Sequence, residues 1–295
     1  MKPSLTTLAP PVGALAPALR PRHWQSALLL VPLLALLLVF CLAPMAWVFA
    51  NSVQNADGGY TLAHFQEILT SPFYRQAFDN SLRIALYSSV IGLLISLLGA
   101  VSLRRVDSRL KNLVLSFTNM TSNLSGVPLA FAFIIIAGTN GAVTLLLRQW
   151  GVLDDFHLYS RQGLILLYTY FQLPLGLLLL YPALDALDEH WQEAAALLGA
   201  GPWAYWRHIG LPVLAPALLG TFILLLANAM GAYATAFALT SGNFNLVTVR
   251  IASLVSGNIY LEPNLAAALS VLLVGMLALV AVVNQWLLKR SYHAR

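Results

Sequence analysis

Six apolar runs, each long enough to cross a bilayer, restrict this chain more than any other feature. They are Ser26–Ala50, Asp79–Leu103, Asn112–Ala137, Gly163–Leu184, Val213–Thr240 and Asn264–Leu288. A helix needs about 20 mainly apolar residues to cross the roughly 30 Å hydrocarbon core. In lipid every backbone polar group must be bonded internally, so a spanning segment is a helix or part of a closed barrel. Runs this long exceed barrel strands, and the expected fold is an all-α membrane protein with six transmembrane helices. Only 9% of the 295 residues are charged, against roughly 25% in soluble domains. The six runs leave no room for a large extramembrane domain.

Charge sets the expected orientation. Residues 1–25 form a Pro-rich tail carrying Lys2, Arg20 and Arg22, and residues 289–295 end the chain with Lys289, Arg290 and Arg295. Between the second and third runs lie Arg104, Arg105, Arg109 and Lys111. With both termini inside, eleven Lys and Arg fall on the inner side and five (Arg75, Arg83, Arg148, Arg161, Arg250) on the outer. Positive charge marks the cytoplasmic face, and acidic residues count little in this rule. The excess of Lys and Arg therefore follows span-end placement and does not point to nucleic acid. The first run is too long for a secretory signal and lacks a small-x-small exit. Cys41 lies within it and is expected to be a buried membrane cysteine; Phe40 stands where a lipoprotein signal needs a small residue.

The loops and spans differ in polarity. Residues 51–78 read as an external loop with a short surface helix near Leu62–Leu69. Residues 138–162 and 241–263 read as further external loops. Asp154, Asp155 and His157 could be drawn as a metal site, but solvated loop charges are the ordinary reading. In the second run Ser88, Gly92, Ser96 and Ala100 recur every four residues, which suits either close helix approach in lipid or simply a Gly-tolerant span. Pro174 is expected to kink the fourth. The third run opens with Ser116, Thr118, Asn119, Thr121, Ser122, Asn123 and Ser125, then Gly126 and Pro128. Such polarity at membrane depth belongs against protein or a watery cavity. Asn119, Asn123, Asn228 and Tyr233 are accordingly the expected pathway-lining residues.

The loop 185–212 holds the most specific signal, EAAALLGAGPWAYWRHIGLP from Glu193 to Pro212. Ala and Leu favour a helix from Glu193. Gly199-Ala200-Gly201-Pro202 breaks it, since Gly suits a helix C-cap and Pro the first turn of the next helix. A second short helix, Trp203 to Ile209, is expected to end at Gly210 and Pro212, with aromatic side chains exposed on the loop.

This pattern of EAA, three residues, Gly, nine residues and Ile-x-Leu-Pro resembles the cytoplasmic coupling loop of ABC-importer permeases. With six spans around it, the region 26–288 resembles the MetI-like type I permease fold. The resemblance implies a cytoplasmic coupling helix over Ala194–Leu198, a polar contact from Glu193 to an ATPase, and a bend at Gly199. Ala195, Ile209, Leu211 and Pro212 complete the coupling set. It also implies two ATP-binding cassette ATPases, a second permease subunit giving a heterodimer, an external solute-binding protein and a bacterial inner-membrane location. ATP and Mg²⁺ would be used by the partner ATPase, with no cofactor or metal held by this chain. The polar stretch ending at Pro128 and the loop after Thr240 look most like spermidine/putrescine permeases, with phosphonate, thiamine or ferric-iron importers as alternatives.

The sequence has no P-loop, HExxH motif or Cys/His cluster of metal-ligand spacing, so an enzyme reading has no support. The rival from another class is an ion-gradient-driven secondary transporter. That class calls for titratable groups at mid-membrane and an inverted repeat, and neither is visible in the sequence.

Overall fold

The computed structural model describes residues 23–55, 58–151, 157–256 and 261–293, and these are almost entirely helical. Two compact units divide the chain after Trp47. The first holds α1 (His23–Leu37), a π turn at Leu38–Leu42 and the start of α2 (Ala43–Ser52). In that turn the Ala43 N–H bonds to the Leu38 carbonyl, one residue before Pro44. A proline ring clashes with the carbonyl four residues back and offers no N–H, and the wider π turn accommodates both defects. Cys41 sits in this turn, on the outer surface of the candidate span Leu30–Ser52 and not packed against other helices of the chain. Of the candidate metal ligands, Asp154 and Asp155 lie outside the described residues.

The second unit begins within α2 and continues with α3 (Ala63–Thr70), α4 (Pro72–Arg104), α5 (Ser108–Ser122), α6 (Val127–Ala137) and α7 (Ala142–Gln149). Then come α8 (Arg161–Ala183), α9 (Glu189–Leu197), α10 (Pro202–Tyr205), α11 (Leu211–Gly231), α12 (Tyr233–Thr240), α13 (Val247–Ser256) and α14 (Pro263–His293). Among the described residues, six stretches are long and apolar enough to cross a membrane.

The principal seam joins α4 to α8, with α11 packed against both. The four-residue stripe of α4 lies in it: Ser88, Gly92, Ser96 and Ala100 are all buried. Gln172 Nε2 donates to Ser88 Oγ at 2.9 Å, and Ser96 Oγ donates to the Leu173 carbonyl at 3.1 Å. Small residues bring the two backbones close enough for these bonds, which hold helices together where lipid supplies no hydrophobic drive. The close-approach reading of the stripe is the one the structure adopts. At one end of the seam Ala100, Leu180, Leu184, Leu187 and Leu214 form a buried cluster.

Three boundaries differ from expectation. The third span is not continuous over 112–137. Ser122 Oγ and Asn123 Nδ2 both donate to the Asn119 carbonyl, and Gly126 adopts φ 76°, so the helix ends at Ser122 and restarts at Val127. Short polar side chains compete with the ladder for backbone partners, and Pro128 suits the first turn of α6. The spanning stretch is Val127–Gln149, so α7 occupies part of the expected loop 138–162. The fifth span, expected over 213–240, is divided at Ala232 between α11 and α12. Finally, Gly210 and Pro212 do not end a helix. A π turn at Trp206–Gly210 carries the chain from α10 into α11, with the Leu211 N–H bonded to the Trp206 carbonyl just before Pro212. The expected surface helix near Leu62–Leu69 is α3, and the expected loop 241–263 contains α13.

Candidate functional site

Two regions concentrate the features picked out by the sequence. The first is the segment between α8 and α11. Asp188 caps α9, its Oδ1 accepting the His190 N–H at 3.0 Å. Arg104, at the end of α4, donates through Nη2 to the Leu187 carbonyl at 3.1 Å, and the buried Leu187 side chain plugs the cluster at the end of the seam. The segment is thus seated on the spans just before α9 begins.

At the other end of α9 the chain turns through Gly199 at φ 80°. The Gly199 N–H bonds to the Ala196 carbonyl at 3.0 Å and the Ala200 N–H to the Ala195 carbonyl at 2.9 Å. This 5→2 and 6→1 pair is a Schellman cap, and its left-handed residue is the reason for glycine. A Cβ on Gly199 would meet no atom within 4 Å, so the restriction there is conformational and not steric.

The cap presents an apolar edge. Leu197 is 90% exposed, Leu198 88% and Trp203 75%. Glu193 and Ala194 are exposed, Ala195 is buried, Ile209 and Pro212 are half-buried, and Leu211 is exposed. Glu193 Oε2 lies 3.5 Å from His190 Nδ1, an exposed pair of little energetic weight. The aromatics are not uniformly exposed: Tyr205 is buried and Trp206 half-buried. Gly210 makes room for the Trp206 indole, since a Cβ there would lie 2.7 Å from the ring. Leu197 and Trp203 were not singled out as contact residues from the sequence. Two adjacent leucines before a C-cap glycine look like ordinary helix interior until the helix is seen to stand free.

The second region is a cleft of about 750 Å³ where the two helix breaks meet. Asn228 and Tyr233 line it together with Ser122, Ser125, Gly126 and Thr235. Asn119 and Asn123 are exposed but are not among its lining residues. They shape the end of α5 instead, Asn119 through its carbonyl and Asn123 through its side chain. The Gly126 N–H donates to Thr235 Oγ1 at 3.0 Å, and Tyr168 OH donates to the Ala232 carbonyl at 2.8 Å. Backbone groups freed by a broken span must find partners inside the protein, and these hydroxyls supply them. Tyr168 was missed from the sequence because nothing marks a tyrosine within an apolar span as a partner for a distant carbonyl. The polar side chains among the described lining residues are hydroxyls of Ser, Thr and Tyr and the Asn228 amide, with no carboxylate, imidazole, Lys or Arg.

Six apolar helical stretches, a discontinuous pair of spans around a polar cleft, and a capped helix standing free between the fourth and fifth spans define a membrane permease of the ABC-importer class. The chain belongs to the family described as the binding-protein-dependent transport system inner membrane component, whose model matches residues 88–291. Among its relatives is a Salmonella typhi protein provisionally named a 2-aminoethylphosphonate transport system permease protein. It is 30% identical over 216 residues, covering 71% of this chain and 73% of that protein. The spermidine/putrescine transport system permease protein PotB of Haemophilus influenzae is 26% identical over 219 residues, covering 72% and 76%. The fold is shared with a chain from the crystal structure of a bacterial ABC transporter that imports the acidic polysaccharide alginate. That match has a TM-score of 0.73 at 17% identity and covers 91% of this chain and 96% of that one.

Proposed function

We propose that this permease carries a small polar solute through the cleft at the two helix breaks, driven by partner ATPases that dock on the Leu197–Leu198–Trp203 edge. The observation that carries the reading is that edge: Leu197 and Leu198 stand 90% and 88% exposed at the capped end of α9, outside the six candidate spans, and apolar side chains presented to water mark an interaction site. The seating of α9 through Leu187 gives ATPase movement a rigid route into α4, α8 and α11, and rigid-body motion of spans is an established way of switching access. The assembly we infer contains two ATP-binding cassette ATPases, a second and different permease chain, and a solute-binding protein outside. ATP and Mg²⁺ belong to the ATPases. The basic span ends support an inner-membrane orientation with both termini cytoplasmic.

The relatives' names point to different cargoes, and cargo choice rests with the binding protein as much as with the permease. The volume of the cleft lies in the range of small-molecule sites, about 300–1,000 Å³. A polyamine is the first cargo to test, with 2-aminoethylphosphonate beside it. The assembly is tested by mild-detergent purification of the tagged chain with mass spectrometry of what accompanies it. Recovery of a P-loop ATPase and a second six-span protein is expected. A chain that purifies alone would overturn the reading and return ion-gradient transport to first place.

A further inference from the structure

We infer that Thr235 and Tyr168 are positioning residues that bind the two helix breaks into one unit and so set the shape of the cleft. The inference rests on the reading of the cleft as the pathway, but its test does not require the cargo.

The two breaks lie in different spans, at Asn123–Gly126 and at Ala232, more than a hundred residues apart in the chain. Each leaves backbone groups without a helical partner. Thr235 Oγ1, on the first turn of α12, accepts the Gly126 N–H at the start of α6. Tyr168 OH, on α8, donates to the carbonyl of Ala232, the residue between α11 and α12. Tyr168 and Thr235 are each 3% exposed, while the backbone groups they bind, at Gly126 and Ala232, are half-buried at the wall of the cleft, so each hydroxyl holds its partner from the protein side. Gly126 also approaches α12 directly: a Cβ built on it would stand 3.8 Å from that of Ala234. One break is therefore tied to the other through Thr235, and the second is tied to the α4–α8 seam through Tyr168. A displacement of α8 reaches both walls of the cleft by these two hydroxyls.

A buried backbone donor or acceptor that loses its partner is far more costly than a neutral exchange of bonds. Replacing Thr235 by Val keeps the shape and removes the acceptor. Replacing Tyr168 by Phe removes only the hydroxyl. Hydrogen exchange followed by mass spectrometry on the full-length chain in lipid nanodiscs reads the consequence. Thr235→Val should speed exchange at 123–130 as well as at 230–238, by about fivefold, the loss of one buried hydrogen bond. Tyr168→Phe should speed exchange at 230–238 and, through Thr235, at 123–130. Thr235→Ser, which restores the acceptor, should exchange as the native chain does, and peptides covering residues 84–100 of α4 should not change in any variant. Acceleration confined to the mutated span, or failure of Thr235→Ser to restore protection, would overturn the inference. Global acceleration including residues 84–100 would do the same, by showing a general loss of stability. Loss of solute uptake with unchanged exchange would point to a contact with cargo and refute a positioning role. Failure of the assembly to form would concern the coupling reading and leave this test standing.

Discussion

At Gly199 the chain needs a left-handed residue and nothing else, because space around the position is empty and φ is 80°. An L-residue forced into that region costs roughly 1–2 kcal/mol, and Asn less than most. Gly199→Asn should therefore preserve most uptake, while Gly199→Asp, which places a charge next to Leu198 at the exposed apolar edge, should abolish it with normal membrane insertion. Uptake assays paired with membrane-fraction blots check both, and near-native uptake by Gly199→Asp would count heavily against the coupling assignment. Asn228 and Tyr233 face the cleft, whereas Asn119 and Asn123 cap the end of α5. Alanine at Asn228 and Tyr233 together should lower uptake at least tenfold, the loss of roughly 1.4 kcal/mol or more of transition-state interaction. Alanine at Asn123 should act mainly through the end of α5, seen as a small fall in Tm, whereas alanine at Asn119, which keeps the accepting carbonyl, should leave Tm unchanged.

Short side chains set the closest approach between elements, beside buried clusters of large apolar ones. In the α4–α8 seam a Cβ on Gly176 would come within 2.9 Å of Ser96 Cβ, so the helices cannot accept a larger residue without separating. Gly176→Val should lower the melting temperature of the detergent-purified chain and reduce its yield, since overpacking of this kind costs about 1–3 kcal/mol. Unchanged yield and Tm would show that the seam is looser than its hydrogen bonds indicate. The stripe on α4 was legible in sequence because helical periodicity places every fourth residue on one face. Its partner on α8 was not, because Gln172 and Gly176 become informative only when the neighbouring helix is known. The break at Asn123–Gly126 was foreshadowed by polarity alone. The break at Ala232 was not, because Gly231 within an apolar run reads equally well as a tolerated small residue.

For the whole molecule, coupling requires that a push on α9 reach the cleft. Leu187 and the Arg104 bond to its carbonyl connect α9 to the seam, and the seam connects to the breaks through Tyr168. Double substitution of Leu197 and Leu198 by Ser should release the ATPase from the purified assembly while leaving the permease pair intact, because it removes most of the apolar edge without touching a span. Co-purification ratios measure this, and retention of the ATPase would move its docking surface elsewhere. Uptake would be lost in parallel if the edge is the power stroke's point of entry.

The sequence by itself determined the helical class, the number of apolar runs and the family. Each is a local property: hydrophobic length, and a motif whose Gly and Pro act on their own backbone. The tertiary structure decided where spans three and five break, which polar residues meet across those breaks, and that Leu197, Leu198 and Trp203 stand free. These depend on which distant hydroxyl satisfies a freed backbone group and which face has no neighbour, and no periodicity along one chain segment carries that information.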